Sequence, residues 1–175
     1  MRRERAIDIG IALVVFALTV ATLASGGVAN DPDARSLDAL GVVLAALASL
    51  PLLARRTAPL AAFAAAATAS AAINVLAYQP GPPIGATVAL FFVGLYGHRS
   101  RDSGRLTAGV IAFFFLVHVV AAGYGRDQSP VVPALLGALV WGGAWVLGDR
   151  VRLRRERVAS LEERARQAER ETVRE

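Results

Sequence analysis

The chain has two histidines, His98 and His118, and no cysteine. Without thiols, disulfides, thiolate metal sites and cysteine nucleophiles are excluded. Two isolated histidines at this spacing form no metal-ligand motif. His118, in "FFFLVHVVAAGYG", is the one titratable group well inside an apolar run. Such a group can sense pH or bind a ligand, and it can equally be a neutral imidazole bonded to a neighbouring helix. Asn74, with Thr68 and Ser70 nearby, can line a polar site or simply hold helices together. Asp8 and Asp38 stand near the starts of apolar runs, where a carboxylate reaches the interface, and Asp149 closes the last run. No Ser/His/Asp set, glycine-rich phosphate loop or carboxylate pair can be assembled. "YQPGPP" has no basic residue and reads as a turn. The expectation is therefore no catalytic, cofactor-binding or metal-binding residue, with His118 and Asn74 as the candidates for sensing or packing.

The elements that must position these residues are apolar. Of 175 residues, 55% are hydrophobic, and the mean hydropathy is +0.48. That is too apolar for an ordinary soluble domain. Six segments can be marked: Ile7–Gly27, Leu37–Ala54, Pro59–Tyr78, Pro83–Gly97, Leu106–Tyr124 and Val131–Gly148. Most reach the ~20 residues needed to cross a bilayer; the fourth is short, at about 15 residues. Gly- and Pro-containing connections such as "RRTAP" and "GHRSRDSGR" separate them. "MRRER", an apolar run and "TLASGG" also follow the order of a signal peptide, but the run is longer than a usual cleaved core.

All 19 basic residues are arginine. With the N-terminus inside, 17 fall on inner segments: the N-terminal three, Arg55 and Arg56, Arg99, Arg101 and Arg105, and nine in the tail from Arg150 on. Only Arg35 and Arg126 fall outside. This split predicts a six-helix transmembrane bundle with both termini cytoplasmic. It also removes nucleic acid as the explanation of the high pI for everything except the tail. Arg55, Arg56, Arg150, Arg152, Arg154 and Arg155 become the expected cytoplasmic interface. The alanine-rich third segment is expected in the middle of the bundle, and Ala138 with Gly142 fits a close crossing of the last one.

After Gly148 the chain has neither Gly nor Pro. Residues 1–148 thus read as a membrane domain and 149–175 as a cytoplasmic connector helix. Val151, Val158 and Ala165 share one heptad position, and Arg154, Leu161 and Ala168 another. This is a coiled-coil-like seam with one large residue, Leu161, at the second position. A parallel two-helix connector is favoured over an amphipathic helix lying on the membrane, because the half after Arg157 lacks bulky apolar anchors.

The run "WVLGDRVRLRRERVASLEERARQAERE", with "LLARRTAPLAAF" and "AYQPGPPIGATVALFFVGLYG" before it, resembles the N-terminal membrane region of actinobacterial two-component sensor histidine kinases of the short dimerisation-domain type. The likeness covers nearly the whole chain. It implies an all-α membrane input region in a bacterial cell membrane, a homodimer through the connector and kinase core, ATP as the substrate of the parent kinase, and a response regulator as its partner. The family's phosphoacceptor His, in a context like E-L-H-D, has no counterpart among these residues, nor has its ATP-binding domain, so no catalytic residue carries over. The kinase core is expected beyond this chain. A small transporter or channel would need a polar pathway, and the absence of deep acidic or basic residues speaks against one. A passive membrane anchor is a third reading that the sequence does not separate from a sensor.

Overall fold

Apolar runs broken by Gly and Pro fold here into helices. The computed structural model describes residues 2–25, 35–78, 83–97, 101–123 and 131–172, without the side chains of residues 2, 3, 101–103, 122, 133, 168, 171 and 172. Among the described residues the secondary structure is entirely helical: α1 (Arg2–Ala24), α2 (Ala39–Ser49), a 3₁₀ turn (Leu50–Ala54), α3 (Pro59–Val75), α4 (Ile84–Tyr96), α5 (Arg101–Gly123) and α6 (Val131–Thr172).

The ends follow from sequence. Asp38 caps α2, accepting the Gly41 amide at 2.9 Å. Pro51 lacks an amide hydrogen, and the α-helix tightens there into the 3₁₀ turn. Pro59 stands in the first turn of α3, where its missing donor costs nothing. Gly97, in extended conformation, ends α4.

Three helices are long and apolar enough to cross a membrane: Glu4–Ala24 in α1, Gly104–Ala121 in α5 and Ala134–Gln167 in α6. The other three are apolar but shorter. With 13 residues, α4 spans only about 20 Å. The fourth segment is the shortest, as expected from sequence, and the described helices α2, α3 and α4 are each shorter than the apolar segments that contain them, because Pro and Gly punctuate the backbone before the apolar composition runs out. Outward faces carry large apolar side chains. Phe113, Leu116, Leu135 and Leu139 are 59–73% exposed, a surface suited to hydrocarbon.

Contacts at the two ends show that α1, α2 and α3 alternate in direction. Arg56 near the start of α3 meets Glu4 and Asp8 of α1. At the other end Arg35, before α2, donates its amide to the Ala77 carbonyl, after α3, at 3.0 Å. As its alanine content predicts, α3 is central and packs against α2, α4 and α5. Its Phe63 is fully buried and meets Phe114 and Trp141 edge to face, with centroids 5.9 and 5.4 Å away.

Candidate functional site

Helix α6 is attached to the bundle mainly through α4. The two run in parallel, and glycines set their spacing. A Cβ at Gly148 would overlap the Phe91 carbonyl, and one at Gly94 would overlap the Trp145 carbonyl. Only glycine lets these backbones touch. One turn further, Arg152 Nη1 donates to the Gly97 carbonyl at 3.2 Å, capping the C-terminus of α4, where carbonyls lack intrahelical partners. The same guanidinium pairs with Asp149, and its Nε lies 3.6 Å from Glu156. The first turn beyond the apolar part of α6 is thus clamped to α4.

A second group of charges ties α1 to the 3₁₀ corner. Arg55 donates to Asp8, and Arg56 Nε reaches the same carboxylate at 3.2 Å. Arg55 is 2% exposed, and its guanidinium carbon sits 4.1 Å from the centre of the Phe92 ring on α4. The expectation that Arg55 lies at a cytoplasmic interface is therefore corrected: it turns inward because Asp8, on the second turn of α1, supplies a counter-charge and Phe92 a face. Arg56 remains partly exposed and also approaches Glu4 at 3.9 Å.

At the opposite end, Tyr78 donates to Asp38, and Arg35 lies over the Tyr78 ring, 4.9 Å from its centroid. The Tyr78 hydroxyl, the Gly41 amide and Arg35 hold the Asp38 carboxyl down to about 2. This corner is an ionic staple that closes the α2–α3 pair.

The two sequence candidates for sensing lie apart. Asn74 Nδ2 donates to the Ser70 carbonyl at 3.1 Å. It lines a cavity of about 30 Å³ with Thr19, Thr22, Ser70 and Gly85, room for a water molecule. His118 instead bonds within its own helix, to the Phe114 carbonyl at 2.9 Å, and its ring packs on Trp141. Among the described residues it makes no bond to a neighbouring helix.

Of the other expected cytoplasmic-interface residues, Arg150, Arg154 and Arg155 are exposed; Arg152 is only 15% exposed because of its clamp. Along the seam Val151, Val158 and Leu161 are 36%, 49% and 62% exposed, and Ala165 is exposed; the Ala168 side chain lies outside the described residues. Ala138 and Gly142 also face outward, so the close crossing belongs to Gly94 and Gly148 instead. Among the described residues no three His, Cys, Asp or Glu gather as for a metal ion.

Sequence reasoning missed the inward turn of Arg55 and the paired glycines. The available signals were an acid two turns inside an otherwise apolar helix and the glycines of "FVGLYG" and "WVLGD". A family model, described as a domain of unknown function, DUF7134, matches residues 1–155. The chain belongs to the DUF7134 family. The DUF7134 region takes in α1 to α5 and ends inside α6, just past the Arg152 clamp. No curated protein and no solved structure matches the chain.

Proposed function

We propose that this chain is the membrane-embedded input region of a two-component sensor histidine kinase. The observation that carries the reading is the unbroken course of α6 over 42 residues. It is gripped by α4 at Gly148 and Arg152, then leaves the bundle with its seam residues uncovered. A helix held this way at one end transmits a shift, rotation or tilt to whatever its other end joins. In this reading a change in helix packing, set by the membrane or a small ligand, moves α4 and α6 together. The connector passes it to a dimeric kinase core that uses ATP and phosphorylates a response regulator.

The same reading makes all six helices membrane spans with both ends cytoplasmic. The arginine split, the alternation of α1 to α3 and the parallel course of α4 and α6 support it, and the short α2, α3 and α4 are accommodated by local thinning of the bilayer. Reporter fusions after Thr57 and Glu163 are expected to report inside and one after Asp127 outside; the reverse pattern would overturn the orientation. The function itself is tested by expressing the intact reading frame that contains this chain and incubating the product with labelled ATP. An acid-labile phosphohistidine is expected in the intact product and none on residues 1–175 alone. An intact product without phosphohistidine ends the proposal.

A further inference from the structure

Trp141 belongs to the central core cluster and is 3% exposed. Its indole Nε1–H has no hydrogen-bond acceptor among the described residues. The ring meets the His118 imidazole, centroids 4.9 Å apart and planes at 62°. His118 Nδ1 is within bonding distance of the Phe114 carbonyl. A carbonyl only accepts, so Nδ1 carries the hydrogen. In the neutral ring Nε2 is then a bare acceptor, and it too is buried without a protein partner. None of the ion pairs among the described residues involves His118, so no carboxylate supports an imidazolium.

Buried polar atoms are almost always paired, and an unpaired one in a low-dielectric core is costly. The other rings against Trp141, Phe63 and Phe115, have nothing to offer either atom. One unpaired donor and one unpaired acceptor on touching rings suit a group that accepts and donates through a single atom. A hydroxyl does so. A carbonyl or ether oxygen only accepts and leaves Nε2 unpaired. An ammonium only donates and leaves the indole unpaired. A metal ion could use Nε2 alone.

We infer that Trp141 and His118 bind a single hydroxyl group where α5 meets α6, the indole donating to its oxygen and His118 Nε2 accepting its hydrogen. Access is lateral. His118 is only half-buried, so the site is approached along the α5–α6 flank of the bundle. With that flank in hydrocarbon, little water competes for the two hydrogen bonds. The hydroxyl belongs to a water molecule or to a membrane-dissolved alcohol. The inference stands on this ring pair and not on the kinase reading.

The test uses the full chain in micelles with Trp145→Phe, which leaves Trp141 as the only indole. Its labelled indole N–H is followed by NMR with 1-hexanol as the probe and hexyl methyl ether as an acceptor-only control. If water is the occupant, the indole gives a cross-peak to bound water before any alcohol is added. If an alcohol is preferred, hexanol shifts the resonance saturably and the ether does not. His118→Phe is expected to remove the bound-water cross-peak in the first case and to weaken hexanol binding about tenfold, the worth of one hydrogen bond, in the second. His118→Gln keeps an acceptor and is expected to retain much of either response, which separates loss of the site from loss of the fold. The proposal is overturned by absence of both responses, by an ether shift equal to that of hexanol, or by a response unchanged in His118→Phe. Imidazole nitrogen shifts placing the hydrogen on Nε2 would also overturn it.

Discussion

Arg55 is where residue type alone misleads. The arginine pattern assigns it to a side of the membrane, but not to the inside of the bundle, because charge counting carries no information on which carboxylate lies across from it. Asp8 is 47 positions away in the chain, so the pair exists only after α1 has packed on the 3₁₀ corner. A buried pair is weak evidence of net stability, yet breaking one side of it leaves an uncompensated charge. Asp8→Asn is therefore expected to destabilise the bundle by about 3–5 kcal/mol. Asp8→Asn combined with Arg55→Met should recover most of that loss, since the double variant buries no charge. Unfolding midpoints in mixed micelles measure both, and purely additive losses would show that the two residues are not coupled. His118 shows the same limit of sequence: its depth in an apolar run was legible, but its contact with Trp141 depends on how α5 and α6 face each other.

At the scale of elements, composition revealed more. The alanine content of α3 predicts its central place, since small side chains let neighbours approach, and the structure has it there. Helix existence was legible throughout, while helix length was not, because single Pro and Gly residues decide where an apolar run stops being helical. The rotation of α6 was misjudged for a related reason. Ala138 and Gly142 have the right spacing for a close crossing, but Trp141 is the larger apolar group and takes the inward face. Gly148, seven residues on, then also faces inward, and Gly142 does not. Gly148→Val is expected to push α6 away from the Phe91 carbonyl and cost about 1–3 kcal/mol. Gly142→Val, with nothing within 4 Å of its Cβ, should cost much less. Cross-linking between positions 97 and 152 should weaken only in the first variant. Equal losses in both would mean that helix propensity, not the α4 contact, sets the effect.

The whole molecule is a bundle from which one helix extends. That an apolar region passes into a charged helix without a break was readable, because no Gly or Pro follows Gly148. How the helix is gripped was not, since it depends on the Gly97 carbonyl meeting Arg152 across 55 residues. From end to end α6 measures about 63 Å. Its phase relative to the bundle is fixed at Gly148 and Arg152, and the proposed function requires that phase to persist along the connector.

The most direct measurement inserts residues after Ala159 in the intact product and follows its autophosphorylation. One added residue turns everything downstream by about 100° and takes the seam out of register with α4. Seven added residues return it to within about 20°. The account predicts a changed output for the single insertion and an output close to the unmodified protein for the seven-residue insertion. If both insertions signal like the unmodified protein, α6 is a tether, and the claim that it carries packing changes out of the membrane is contradicted.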